Sequence, residues 1–117
     1  MSEMANWVLS QEAADQFLAR AKAHASNATR ALLEMMTQYT ELTPRQRVRL
    51  HHRIHEVAPA THETTTKNRV FRLPEDVMDR FDATCDVEMR IPSTVVESLM
   101  SYYLHCDEPG LNLRGQL

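Results

Sequence analysis

Glycine is confined to two positions near the end of this 117-residue chain, Gly110 and Gly115. Everything before Gly110 therefore lacks the usual residue for φ > 0 turns and close backbone approaches. That excludes phosphate-cradling loops of the Walker or dinucleotide type. Cysteine is nearly as sparse. Cys85 and Cys106 are too few for a disulfide framework, and a reducing, cytoplasmic setting is expected. The start carries acidic Glu3 where a secretory leader needs a basic start and an apolar core. No apolar run approaches the roughly 18 residues that span a bilayer, so no membrane partner is expected. Around neither cysteine do a nucleophile, a base and an oxyanion site assemble, so neither an enzyme nor a cofactor is expected.

What is present favours helices. Seven methionines accompany many Ala, Glu, Arg and Gln, in a chain long enough for one modest domain. The formal net charge of -3 hides a division. Residues 1–42 hold three basic and five acidic side chains, residues 43–72 seven and two, and residues 73–117 three and nine. A basic segment inside an acidic chain suggests a localised site for an anionic partner.

Ser10 suits a helix N-cap, and after it Ala14, Leu18, Ala21, Ala25, Ala28, Leu32, Met35, Tyr39 and Leu42 recur at alternating steps of four and three. This seam predicts one long helix over about 11–41 that needs a partner along its length. Polar Ser26, Asn27 and Thr29 mark the place where it could bend or break. Thr43-Pro44-Arg45-Gln46 is a strong helix start, with Thr43 as N-cap and Gln46 completing a capping box, for a helix running to about Val57. Residues 58–65 read as an exposed linker. Residues 66–73 have strand character, with Phe71 and Leu73 on one face and Arg72 on the other. Pro74-Glu75-Asp76 opens an amphipathic helix through Phe81 and Cys85, and a second helix starts near Pro92-Ser93 and runs to Leu104. No internal repeat is legible. A lone strand among helices leaves its backbone groups unpaired, so a homodimer that supplies the second strand is expected.

The order of strand, Leu-Pro, amphipathic helix, short turn and second helix, read through Arg69-Val70-Phe71-Arg72-Leu73-Pro74-Glu75-Asp76-Val77-Met78, Phe81, Leu99, Tyr102 and Tyr103, resembles the ribbon-helix-helix family of DNA-binding proteins. The resemblance covers residues 66–104. It implies an intertwined dimer whose paired strands enter the DNA major groove. With Phe71 and Leu73 inward, Asn68, Val70 and Arg72 face out. Arg72 then suits guanine, Asn68 adenine and Val70 a thymine methyl, while Lys67 and Arg69 suit phosphates. Ser93 and Thr94 map onto the family's phosphate-holding helix start. The chain departs from the pattern at Met89, where the family commonly turns on glycine, at Ile91 in place of the usual Ser/Thr cap, and at Arg69, which falls on the core phase of the strand.

The helix at 43–57 is dense in arginine and histidine, and Arg45, Arg47, Arg49 and Arg53 are candidate phosphate contacts or a docking face for an acidic partner. His51 and His55 have the spacing for a divalent metal, but the surrounding arginines argue for a partly protonated basic face, and no metal is expected. Cys85 sits in the apolar phase of its helix as a small core residue. In the tail, Leu111, Leu113 and Leu117 either lie in disordered chain or dock on a partner.

The fold expected is thus mainly α: a helical hairpin at 1–57 for assembly, a linker at 58–65, a ribbon-helix-helix unit at 66–104 with one short strand pairing across a homodimer, and a tail at 105–117. The function expected is a homodimeric, double-stranded-DNA-binding transcriptional repressor, with higher assembly through 11–41. Two alternatives stand beside it: a phage- or plasmid-encoded inhibitor or antitoxin that occupies a protein partner, and a DNA-processing accessory protein of plasmid transfer or partition.

Overall fold

Near the N-terminus, Ala5, Trp7 and Leu9 are buried while Met4, Asn6 and Val8 are exposed. This is the period of two that a strand shows when one face meets a core. The computed structural model describes residues 2–23, 27–57, 65–105 and 113, with side chains from residue 4 onward. Its elements are β1 (Ser2–Ser10), α1 (Gln11–Ala23), α2 (Ala28–Glu41), α3 (Pro44–Val57), β2 (Thr66–Pro74), α4 (Glu75–Val87) and α5 (Pro92–Leu104). The molecule is mainly helical, with one two-stranded antiparallel sheet.

The sheet corrects the expectation of a strand that must find its mate in another copy. β2 pairs with β1 of the same chain, from Ser2 opposite Pro74 to Ser10 opposite Thr66. Its ladder is satisfied internally, so the physical reason for requiring a homodimer falls away. The long helix over 11–41 is also corrected. It is two helices, and Asn27 caps the second by accepting hydrogen bonds from the backbone N–H groups of Thr29 (2.8 Å) and Arg30 (3.4 Å). A side chain that satisfies two orphan donors at a helix start outweighs the continuity of an alanine seam. Ala25, on that seam, lies outside the described residues.

α3 starts as its sequence dictates. Thr43 N–H donates to Gln46 Oε1 at 2.9 Å, and Gln46 N–H donates to Thr43 Oγ1 at 3.2 Å, the two reciprocal bonds of a capping box. α4 ends in a Schellman motif: Met89 N–H donates to Asp86 O at 3.0 Å and Arg90 N–H to Cys85 O at 2.8 Å. Met89 takes the left-handed conformation this needs, with φ 57°. Glycine takes this conformation without steric cost.

Residues from both sides of the expected linker enter one core. α1 packs on α5 and α2 on α4, and Phe17, Leu32, Met35, Tyr39, Phe81, Val96, Leu99 and Met100 are buried in a single cluster. The expected linker lies outside the described residues apart from Thr65, and so do 106–112 and 114–117 of the tail. Leu113 is buried in the chain's own core, its N–H donating to Gln38 Oε1 at 2.7 Å.

The elements also reveal the internal repeat that the sequence reading missed. β2, α4 and α5 begin at 66, 75 and 92, and β1, α1 and α2 at 2, 11 and 28, a constant offset of 64. The buried residues follow the same offset: Leu9 with Leu73, Phe17 with Phe81, Leu32 with Val96, Met36 with Met100 and Tyr39 with Tyr103. The two units are related by a twofold arrangement. Phe17 meets Tyr103 with ring centroids 5.1 Å apart, and its counterpart Phe81 meets Tyr39 at 5.7 Å, so each unit's phenylalanine packs on the other unit's tyrosine. At the ribbon's centre Asn6 pairs with Val70. These residues are themselves 64 apart, as residues flanking a twofold axis must be. α3 lies between the units and connects them.

Candidate nucleic-acid interface

The ribbon has one face on the core and one in solvent. Trp7 and Phe71 hold the inner face, their rings 6.1 Å apart, with Ala5, Leu9 and Leu73 beside them. The pleat then fixes the outer face as Met4, Asn6 and Val8 from β1 and Asn68, Val70 and Arg72 from β2. The register sets Met4 opposite Arg72, Asn6 opposite Val70 and Val8 opposite Asn68. Met4 is 62% exposed, Val8 61% and Val70 49%. These apolar side chains thus lie together on the solvent face of the ribbon and not in the core. No acidic residue occupies any of the six positions, while Arg72 at one end of the ribbon and Lys67, beside Asn68 at the other, are exposed cations.

The residues expected to bind DNA separate into groups. Lys67, Asn68, Val70 and Arg72 lie exposed along β2. Arg69 does not join them: it points inward and pairs with the Asp15 carboxylate of α1, because its place in the pleat is that of Phe71 and Leu73. Ser93 is partly exposed and Thr94 exposed in the first turn of α5. That turn has no side-chain cap, its N-cap being Ile91. The first turn of α2 differs, since Asn27 already occupies its N–H groups.

The basic helix also divides. Arg45, Arg49 and Arg53 are exposed on α3 at successive steps of four, which places them along one side of the helix. Arg47 is buried, and its expected role as a phosphate contact is corrected. Its guanidinium holds Glu88 (Nε to Oε1, 2.9 Å) and donates to the carbonyls of Leu42 and, at 3.5 Å, Tyr39. Its Cζ lies 5.9 Å from the centre of the Tyr39 ring. His51 leaves the expected basic face as well. Its Nε2 lies 2.8 Å from Tyr39 Oη. Burial, reinforced by the nearby positive charge of Arg90, lowers its pKa to about 4, so it is neutral at pH 7. Burial also raises the Tyr39 hydroxyl well above its ordinary value. Cys85 is buried and its thiol is pushed up to about 11 by burial and by the charge of Asp82, which makes it a poor nucleophile. Cys106 lies outside the described residues.

The residues missed from the sequence are Met4, Asn6 and Val8. The sequence carries little signal for them, since only Asn6 interrupts an apolar run from Met4 to Leu9; the period of two lies in the burial, and Trp7 and Val8 alone hint at a strand. Among the described residues, no helix is long and apolar enough to cross a membrane. Searched against protein-family models, curated proteins and solved structures, the chain gives no match.

Proposed function

We propose that the protein binds double-stranded DNA by laying the outer face of its β1–β2 ribbon into the major groove, and that it acts as a transcriptional repressor. The observation that carries this reading is the ribbon face itself: six outward side chains, none acidic, on two antiparallel strands. The B-DNA major groove is about 12 Å wide and admits a two-stranded ribbon. The chemistry on the face suits base edges. Arg72 offers a fork to guanine, Asn68 and Asn6 offer amides to adenine, and Val8, Val70 and Met4 offer apolar contact to thymine methyls. Phosphates flanking the groove would meet Lys67 and the uncapped first turn of α5 at Ser93 and Thr94, with Arg45, Arg49 and Arg53 as further cations. The twice-repeated order of strand, helix and helix is consistent with the ribbon-helix-helix resemblance, here satisfied by one chain instead of two.

A gel-shift titration with the DNA upstream of the protein's own gene, at two salt concentrations, tests the reading. The full chain is expected to bind tightly against competitor DNA, to weaken steeply with salt, and to lose at least tenfold in affinity on Arg72→Ala. Weak binding that Arg72→Ala leaves unchanged refutes it. The exposure of Met4, Val8 and Val70 supports a second reading, in which the same face docks on a protein partner as an inhibitor would. A stoichiometric partner that copurifies with the wild type and is lost on Val8→Asp would favour it.

A further inference from the structure

A ribbon made by two identical chains presents the same outward residues twice, related by a twofold axis, and so reads the same bases on both halves of a palindrome. In this chain the axis survives in the backbone and in much of the core, but not in the outward side chains of the ribbon. The offset of 64 that relates the two units matches Met4 with Asn68, Asn6 with Val70, and Val8 with Arg72. No outward pair is alike. Of the inward pairs, Trp7 with Phe71 and Leu9 with Leu73 keep their character, while buried Ala5 matches Arg69, which pairs with Asp15. The ribbon keeps its symmetry at two inward pairs and at none of the outward ones.

The difference is chemical as well as formal. At the end of the ribbon where Met4 lies opposite Arg72, one cation stands on the outer face, whereas at the twofold-related end, Val8 opposite Asn68, the outer face has none and the exposed Lys67 lies in the inward phase opposite Leu9. An Arg fork discriminates guanine strongly, while a valine can offer only a methyl contact. The helix starts differ in the same sense. The first turn of α2 is closed by Asn27, and that of its counterpart α5 lacks a side-chain cap.

We infer that the ribbon recognises a directional, non-palindromic DNA site with one chain per site, in which guanine is demanded on the half facing Arg72 and an A·T-rich step is preferred on the half facing Val8. This rests on the DNA-binding reading above and adds to it the symmetry of the target.

The test is selection of bound sequences from a random double-stranded DNA pool by the full-length protein, followed by native mass spectrometry of the complex with the selected duplex. The expected result is a motif without inverted symmetry, bound by one chain, in which replacing the guanine costs about tenfold or more in affinity. Val8→Arg, at an exposed position, gives the two ends the same cation. It is expected to add a demand for guanine on the second half and so move the selected motif toward a palindrome. Arg72→Ala is expected to erase the preference on the first half only. A palindromic motif bound by two wild-type chains overturns the inference and leaves the DNA-binding reading standing. Failure to enrich any sequence overturns both.

Discussion

Arg47 gives the sharpest test of how α3 is attached, because the same residue would behave differently as a surface phosphate contact. Its side chain is 10% exposed and that of Glu88 15%, so the pair is removed from most of the screening that makes surface ion pairs weak. Truncation by Arg47→Ala strands the Glu88 carboxylate and removes the donor to Leu42 O. Tyr39 O still accepts from Leu42 N–H. Breaking a buried pair from one side costs about 3–5 kcal/mol, a large share of the roughly 5–15 kcal/mol that stabilises a domain. For a chain of this size that corresponds to a fall in Tm of roughly 10–20 °C. Urea unfolding of Arg47→Ala, Glu88→Gln and the double variant measures the coupling, with exposed Arg49→Ala as a control expected to change stability by less than about 0.5 kcal/mol. Arg47→Met with Glu88→Leu should recover much of the loss, since two apolar side chains leave no buried charge unpaired, although Leu42 O remains without its donor. If Arg47→Ala unfolds within 1 kcal/mol of the wild type, as Arg49→Ala should, the buried arrangement is refuted.

Three further outcomes are expected. The depressed pKa of His51 has a definite sign: the unfolded chain takes up a proton near pH 6.5, whereas the folded chain resists until about pH 4. Its contribution is therefore fully present above pH 6.5 and is lost as pH falls toward 4, by about 1 kcal/mol at pH 5 after allowing for solvent screening. His51→Gln should flatten that part of the pH profile of the urea midpoint. Met89→Gly should stabilise by about 1 kcal/mol, because Met89 holds φ 57° at a Schellman position; a destabilised variant would show that the Met89 side chain matters more than its backbone. Phe17→Leu and Phe81→Leu, which break reciprocal contacts with Tyr103 and Tyr39, should each cost about 1–2 kcal/mol and agree within about 0.5 kcal/mol. A large disparity would show that the two units do not share the core equally.

Much of the second unit was legible because its signals are local. Pro74 and Pro92 sit at helix starts, Phe71 and Leu73 alternate with Arg72, and Thr43 with Gln46 makes a capping box that the structure reproduces bond for bond. The first unit was misread for physical reasons. Its seam alanines at 14, 21 and 28 stand where the second unit has Met78, Cys85 and Pro92. Spaced in steps compatible with a heptad, they imitate an uninterrupted seam, and the break at Asn27 depends on a side-chain cap rather than on a helix-breaking residue. The repeat was hidden because packing preserves apolar character and volume across an interface rather than identity. Phe17, Met36 and Tyr39 recur as Phe81, Met100 and Tyr103, but most other positions differ. As for the interface, the β2 half was legible from period two, and the β1 half became visible only once the two strands were paired.

The connection through α3 has a consequence for how the protein responds to dilution. Two separate chains would form a ribbon in proportion to the square of their concentration, and would lose it below their dissociation constant. Joined in one chain, the two strands meet at an effective concentration on the order of millimolar, whatever the number of molecules in the cell. On the DNA-binding reading proposed above, the occupancy of a site should then rise in simple proportion to the amount of protein, without an assembly threshold.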